Sequence, residues 1–175
     1  FPVADPKKNE ALFEEKCPVG WYRKHKKNYL YQVPKVSIYI PSYNNAAYIK
    51  EAVDSARNQT YTDLEICSCD DGSTDNTLEV LETYFSDNPR VSWMSQENGG
   101  IGTASNSAVR MCRGMYIGQL DSDDLLKPNA VATLVSYLED NNIGCVYSSC
   151  ERIDADGNYL MDEYSYPKFS REKML

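Results

Sequence analysis

The chain has 175 residues and a net charge of −8, with 42% hydrophobic residues. This length is sufficient for one domain with a sizeable hydrophobic core. No apolar run approaches the length of a transmembrane helix, and the first residues lack the pattern of a signal peptide. The composition is that of an ordinary globular protein.

The charge is unevenly distributed along the chain. Up to Lys35 there are eight Lys or Arg against four Asp or Glu, whereas the remainder has ten against twenty-two. The acidic remainder argues against nucleic acid as a partner. The basic residues are concentrated in WYRKHKKNYLY, residues 21–31. This segment is interpreted either as a peripheral contact with an anionic membrane surface or glycan, or as a solvated linker whose aromatic side chains dock on the domain.

The six cysteines show neither a zinc-type pairing nor a tight disulfide framework. They are Cys17, Cys67, Cys69, Cys112, Cys145 and Cys150. Cys67 and Cys69 alternate along a predicted strand, which favours reduced and mostly buried thiols. A reducing, cytoplasmic setting is therefore expected.

The regular pattern begins near residue 35. Residues 1–34 contain four prolines and are predicted to form a linker or extension, with one short helix over NEALFEEK. The segments that follow are the strand KVSIYIP, the helix NAAYIKEAVDSARNQ, the strand DLEICSCDD, the helix STDNTLEVLETYF, the strand RVSWMSQ, the helix GTASNSAVRMC, the strand MYIGQLD and the helix KPNAVATLVSYLEDN. The last two strands, GCVYSSCERID and NYLMD, are joined by ADG and are predicted to form a hairpin.

This alternation predicts one α/β domain over residues 35–175. Its expected core is a Rossmann-like, mainly parallel, twisted sheet with helices on both faces, followed by the C-terminal hairpin. Ser73, Thr74 and Asp75 are candidate caps of the second helix, and Pro128 suits the first turn of the fourth.

Polar residues follow each of the four parallel strands, in the segments PSYNN, DDGS, QENGG and DSDD. Ligands of open sheets bind at the carboxyl ends of the strands, so these segments are expected to meet in one site. Asp121 and Asp123 are hard oxygen ligands that suit Mg²⁺ or Mn²⁺, with a substrate diphosphate supplying the remaining oxygens. The alternative is a solvated loop and helix-capping cluster.

Two further residues suit a nucleoside. Tyr43 offers an aromatic face for a base, and Asp71 can accept a hydrogen bond from a uracil imide, although either residue also fits an ordinary surface or turn role.

Three other sequence patterns give weaker support for a functional site. GGIGTAS resembles a dinucleotide-binding turn, but it lacks the third glycine and follows the third strand. DADGN lacks the spacing of a calcium loop and is interpreted as a turn. His25, the only histidine, lies in the basic segment, so a histidine-dependent triad is not expected within this chain.

The order of these motifs resembles the family 2 glycosyltransferases of GT-A fold. More narrowly, VSIYIPSYN, DLEICSCDDGSTDNTLEV, GGIGTASN, YIGQLDSDD and FSREKM are similar to the glucuronosyltransferase module of bacterial chondroitin and hyaluronan polymerases. EKCPVGWYRKHKK is similar to the connector that follows their first transferase module. The resemblance implies inverting transfer of glucuronic acid from UDP-glucuronic acid to a growing polysaccharide, with Mn²⁺ or Mg²⁺ as cofactor.

The resemblance also implies the donor-binding residues. Pro41, Tyr43 and Asn44 would border the uridine and Asp71 would bind the uracil; Asn98, Gly99, Gly100 and Asn106 would line the ribose and diphosphate; Asp121 and Ser122 would contact the ribose and sugar, and Asp123 would hold the metal.

No catalytic residue is assigned, because the general base and a further metal ligand of the family lie in a part that this chain does not match. The chain is therefore expected to be the donor-binding part of a longer protein. The alternatives are nucleotide-sugar binding without transfer and transfer of another sugar.

Overall fold

The computed structural model describes residues 33–139, 143–154 and 157–164. The chain divides into two compact units, one ending at Asn129 and the other beginning at Ala130. The predicted short helix and basic segment near the start, and FSREKM near the end, lie outside the described residues.

The first unit consists of alternating strands and helices. In chain order these are β1 (Val36–Ser42), α1 (Ile49–Arg57), β2 (Leu64–Asp70), α2 (Thr77–Phe85), β3 (Val91–Ser95), α3 (Ile101–Met111) and β4 (Tyr116–Gln119). The second unit contains α4 (Ala130–Glu139), β5 (Cys150–Ile153) and β6 (Tyr159–Tyr164).

The four strands of the first unit form a parallel sheet in the order β3-β2-β1-β4. Val36 lies opposite Leu64 on one side and Tyr116 on the other. Nearly every residue of β1 and β2 is buried, as expected for parallel strands covered on both faces. The predicted parallel sheet is confirmed, and the chain changes direction across it at β1, where ligand sites of such sheets form.

Helices cover both faces of this sheet. On one face α3 packs against β1 and β2, and Ala104 and Ala108 form a buried cluster with Cys69. Side chains of a strand alternate between faces, so Ile38 and Ile40 point to the other side. There α1 contacts β1 and β2, and α2 contacts β3.

The second helix begins later than its sequence suggests. It starts at Thr77 rather than near Ser73, and the side chain of its N-cap residue makes no capping hydrogen bond. Asp75 Oδ1 accepts a bond from Thr77 N at 3.0 Å, whereas the Thr74 and Asp75 N–H groups donate to Asn44 Oδ1 at 2.8 and 3.3 Å. Of the three predicted caps, only Asp75 bonds to a helical N–H. Asn44, in the segment after β1, binds the backbone that precedes the helix.

The prediction that Pro128 lies in the first turn of the fourth helix is also wrong. α4 begins at Ala130, so Pro128 precedes the helix instead of occupying its first turn. Its carbonyl accepts a hydrogen bond from Thr60 N at 2.9 Å, which holds this residue within the first unit.

In the second unit β5 and β6 pair antiparallel, which confirms the hairpin, although β5 begins at Cys150 and not at Gly144 as predicted. Asp154 Oδ1 accepts a hydrogen bond from Asn158 N at 2.8 Å, and Gly157 has a φ of 82°. Ala155 and Asp156, within the predicted turn DADGN, lie outside the described residues, and the residues on either side of them are bonded to each other.

A polar cluster lies near the amino end of the sheet, away from the polar strand ends. Arg113 donates to Glu65 Oε2 through Nε at 3.0 Å and Nη2 at 2.6 Å, and Ser37 Oγ donates to Glu65 Oε1 at 2.7 Å. Glu65 is only 4% exposed, so this buried charge is balanced by one cation and a hydroxyl.

Cys67 and Cys69 are buried free thiols, as predicted. Burial, with the negative charges of Asp71 and Asp70, raises the pKa of Cys69 to about 12. Within the described ranges, no helix is long and apolar enough to cross a membrane.

Candidate functional site

Asp71 joins the end of β2 to the segment after β3. Its Oδ1 accepts hydrogen bonds from Gln96 Nε2 at 2.7 Å and Gly99 N at 3.0 Å, and its Oδ2 accepts one from Gly100 N at 2.8 Å. The residue is 2% exposed. Burial raises the pKa of this carboxyl, but the bonds from Gly99, Gln96 and Gly100 outweigh burial and lower it below the ordinary value. Asp71 is thus held as an ionised acceptor.

Gly72 allows these two segments to approach each other closely. Its φ is 72°, and a Cβ at this position would lie 2.9 Å from Asn98 N and 3.0 Å from the Gln96 carbonyl oxygen. Any other residue would therefore be strained by both its backbone and its surroundings.

Asn44 and Asn45 connect the end of β1 to both of its neighbours. Asn44 has a φ of 51°, its N–H donates to Ser73 Oγ at 2.8 Å, and its Oδ1 accepts a bond from Thr74 N at 2.8 Å. Asn45 Nδ2 donates to Ser122 Oγ. The polar segments after β1, β2, β3 and β4 are therefore linked in one hydrogen-bonded series.

A cavity of about 250 Å³ lies among three of these segments. Its lining residues are Ser42, Tyr43, Asp71, Asn98, Gly100, Ile101 and Ala104. It combines the buried Asp71 carboxylate with Tyr43, which is 49% exposed, and with apolar side chains of α3. A carboxylate and an aromatic face beside apolar surface suit a planar group that carries a hydrogen-bond donor.

The aspartates of the segment after β4 are exposed, unlike Asp71. Asp121 Oδ1 accepts a hydrogen bond from Gln119 Nε2 at 2.9 Å, and Asp123 is exposed and accepts no hydrogen bond from the described residues. Partial burial, followed by the charges of Asp121 and Asp123, raises the pKa of Asp124. Three carboxyl groups therefore lie close together here, and none of them forms an ion pair with a described residue.

The acidic residues fit only part of a metal site. Within the described ranges, no group of three or more His, Cys, Asp or Glu side chains could hold an ion by itself. Asp121 and Asp123 offer carboxylate oxygens of the kind that Mg²⁺ and Mn²⁺ prefer. The donor set therefore fits a divalent cation only if other groups supply its remaining ligands.

The structure brings most of the predicted site residues together. Tyr43, Asp71, Asn98 and Gly100 line the cavity. Gly99 donates to Asp71, Asn44 holds the neighbouring loops together, and Ser122 is buried against Asn45; these three support the cavity without lining it.

Two of the predicted residues that do not line the cavity, Pro41 and Asn106, take no part in the hydrogen bonds described above. Pro41 is fully buried in β1 opposite Cys69. Asn106 is exposed on α3, and it is two residues from the buried Ala104, which places it on a different side of the helix. Their assignment as donor-binding residues stays a prediction.

Several residues of the site were not predicted. Gln96 bonds to Asp71, the Ser42 carbonyl accepts a bond from Asp71 N at 2.8 Å, and Ile101 lines the cavity. Only their proximity to the strand ends could have indicated Ser42 and Gln96, because a single serine or glutamine carries no motif. Ile101 has no sequence signal, since its apolar side chain is typical of any helix start.

Together, the fold and the site define an α/β domain whose polar loops meet at the carboxyl edge of a parallel sheet. Residues 37–174 match Glycosyl transferase family 2, and the chain belongs to this family.

Two bacterial synthases are similar in sequence to most of this chain. Chondroitin synthase of Escherichia coli is 52% identical over 167 residues, which cover 93% of this chain and 24% of that protein. Hyaluronan synthase of Pasteurella multocida is 53% identical over 148 residues, which cover 84% of this chain and 15% of that protein. The chain thus spans about a quarter or less of the length of these relatives.

Solved structures have the same GT-A fold. S. aureus TarS 1–349 in complex with UDP-GlcNAc superposes with a TM-score of 0.56 at 26% identity, covering 68% of this chain and 40% of that chain. The mannosyltransferase PcManGT from Pyrobaculum calidifontis, in complex with GDP-Man and Mn²⁺, gives 0.58 at 26% identity and covers 82% and 44%.

Proposed function

We propose that the chain is the donor-binding part of a transferase that moves glucuronic acid from UDP-glucuronic acid to a growing glycosaminoglycan-like polysaccharide. Membership of Glycosyl transferase family 2 and the identity of more than half of the aligned residues to chondroitin and hyaluronan synthases support this proposal. The length of those relatives is consistent with a longer protein in which this part follows a second transferase module.

The observation that carries the proposal is the cavity between Asp71 and Tyr43. An ionised carboxylate that no described cation neutralises is suited to accept a hydrogen bond from the imide N–H of uracil. The tyrosine ring beside it offers a face on which the base can stack. Asn98 and Gly100 also line the cavity, where they would contact the ribose and diphosphate.

The acidic segment after β4 would bind the diphosphate end of the donor. Asp123, with Asp121 beside it, would hold Mn²⁺ or Mg²⁺, and this ion would neutralise negative charge on the departing diphosphate. Ser122 is fixed by Asn45, so the position of the segment relative to β1 is set before any ligand binds. Asp121 is oriented by Gln119 in the same way.

The reaction that we propose is an inverting displacement. An acceptor hydroxyl gives its proton to a general base that is not assigned among the described residues, and its oxygen forms a bond to the anomeric carbon from the face opposite UDP. The bond from that carbon to the diphosphate oxygen breaks, with its electron pair leaving on UDP. The residues described here would contribute orientation of the donor, which by itself lowers the barrier to such a step.

Calorimetric titration of UDP-glucuronic acid tests the proposal. We expect binding that strengthens in Mn²⁺ and prefers UDP-glucuronic acid to UDP-GlcNAc and GDP-mannose. Preference for either competitor would contradict the proposed donor and leave the family unchanged. Absence of binding by any UDP compound would contradict the proposed donor site. A donor-hydrolysis assay in parallel distinguishes transfer from binding without turnover.

A further inference from the structure

We propose that Gln96 is a positioning residue that leaves one acceptor of Asp71 open toward the cavity and thereby gives the site its preference for uracil over cytosine. This inference rests on the proposed function, because it concerns how the same site recognises its base.

The orientation of the Gln96 amide is determined at both ends. Its Oε1 accepts a hydrogen bond from Ser107 Oγ at 2.6 Å, and its Nε2 donates to Asp71 Oδ1 at 2.7 Å. An ionised carboxylate can only accept, so a reversed amide would place two acceptors against each other. The Gln96 backbone is fixed as well, since its N–H donates to the Asp70 carbonyl at 3.0 Å.

The bonds to Asp71 leave one acceptor position. A carboxylate has roughly four lone-pair positions. Oδ1 uses two of them for Gln96 and Gly99, and Oδ2 uses one for Gly100. The remaining position is therefore on Oδ2, in a residue that lines the cavity. A single acceptor suits the N3–H donor of uracil and opposes the N3 acceptor of cytosine at the same place.

The charge of Asp71 depends on these neutral donors. Among titratable side chains, Cys69 on β2 interacts electrostatically with Asp71, Tyr43 lines the same cavity, and Asp70 and Glu97 adjoin Asp71 and Gln96 in sequence. In the described part of the chain no Lys, Arg or His side chain forms an ion pair with Asp71. A change from amide to carboxylate at position 96 would therefore place a second negative charge against the first with no cation to balance it.

Gln96→Glu makes this arrangement dependent on pH. At pH 8 both carboxyls would be ionised, so we expect UDP to bind roughly tenfold or more weakly than to the wild-type chain. At pH 5.5 the close pair would share one proton, and a protonated Glu can donate to Asp71 as the amide does. The difference in affinity from wild type should therefore shrink as the pH falls. Measurement of both chains at each pH cancels the titration of UDP itself.

Ser107→Ala provides a second variant that adds no charge. It should reduce the ratio of UDP affinity to CDP affinity by a few-fold, equally at both pH values, because the amide loses one of its two restraints. Circular dichroism and thermal unfolding of each variant verify that the fold is retained.

The outcomes separate the two proposals. Recovery of UDP binding by Gln96→Glu at low pH, with a lowered UDP to CDP ratio at pH 8, supports the positioning role. A loss of equal size at both pH values, or an unchanged UDP to CDP ratio in both variants, overturns it while the donor site stands. Failure of the wild-type chain to bind UDP overturns the donor site, and the role of Gln96 with it.

Discussion

The backbone N–H of Gly100 donates to Asp71 Oδ2 at 2.8 Å, so the carboxylate that lines the cavity also holds the N-cap residue of α3. Gly100 has a φ of 84°, a conformation that costs little only for glycine. The proposed recognition of the base and the start of α3 therefore depend on the same carboxylate.

Asp71→Asn should lower both nucleotide affinity and stability. The amide has one acceptor oxygen in place of two, so at least one of the N–H groups of Gly99 and Gly100 or the Gln96 amide loses its partner, at a cost of about 1–3 kcal/mol. Urea unfolding at pH 7 measures this loss.

The loss should also depend on pH. The pKa of Asp71 is lowered in the folded state, so its stabilising contribution is present above the unfolded value near 4 and disappears as the pH falls through the lower folded value. The difference in unfolding free energy between Asp71→Asn and wild type should therefore shrink between pH 5 and the acid limit of the fold. A difference that stays constant over this range would contradict the role of charge.

Asp123→Asn tests the acidic segment. Loss of the proposed metal-binding carboxylate should weaken Mn²⁺-dependent UDP binding by a factor on the order of 100. Binding in the presence of a chelator should change little, since that binding does not use the ion. Asp87→Asn is the matched control, because Asp87 is an exposed aspartate in the turn after α2. Equal losses in the two variants, measured by calorimetry, would show that the ion is not held after β4.

Gly72→Ala should destabilise the protein by about 1–3 kcal/mol, because the added Cβ meets Asn98 N at 2.9 Å in a backbone with positive φ. Gly102→Ala is the opposite case, since Gly102 lies within α3 and a Cβ there meets nothing within 4 Å. Gly102→Ala should therefore stabilise the protein by about 0.5–1 kcal/mol. Thermal unfolding of both variants checks the opposite signs.

Arg113→Met should reduce stability without changing UDP affinity. It leaves the buried Glu65 carboxylate without its cation, at a cost of about 2 kcal/mol after allowance for the partial exposure of Arg113. Lys50→Met breaks the more exposed pair with Asp54 and should reduce the free energy of unfolding by less than Arg113→Met does. A large change in UDP affinity for Arg113→Met would mean that the amino end of the sheet is coupled to the site.

Thiol labelling should separate the cysteines by burial. At pH 8 the folded chain should react with iodoacetamide at Cys145 and Cys150, which are exposed, and not at Cys67 or Cys69. The pKa of Cys69 is raised to about 12, so almost none of the reactive thiolate is present. Peptide mass spectrometry before and after unfolding measures the difference, and rapid labelling of Cys69 in the folded chain would contradict its burial.

The sequence by itself determined the order of elements and the edge at which polar residues gather. Continuous apolar runs such as those of β1 and β2 are typical of parallel strands buried on both faces, and helical spacing between them leaves few other folds. The carboxyl ends of parallel strands meet at one edge, so PSYNN, DDGS, QENGG and DSDD could be placed together before any contact was known.

Only the tertiary structure decided which side chains bond to which. Asn44 holds the chain before α2 from 30 residues away, Asp71 accepts bonds from Gly99 and Gly100, and Gln96 joins Asp71 to Ser107. The two partners of each bond are distant along the chain or belong to separate segments, and local propensity contains no information about how separate segments meet. Asn106 is a further example. It belongs to the motif GGIGTASN but lies outside the cavity, because the packing of Ala104 and Ala108 sets the rotation of α3 on the sheet.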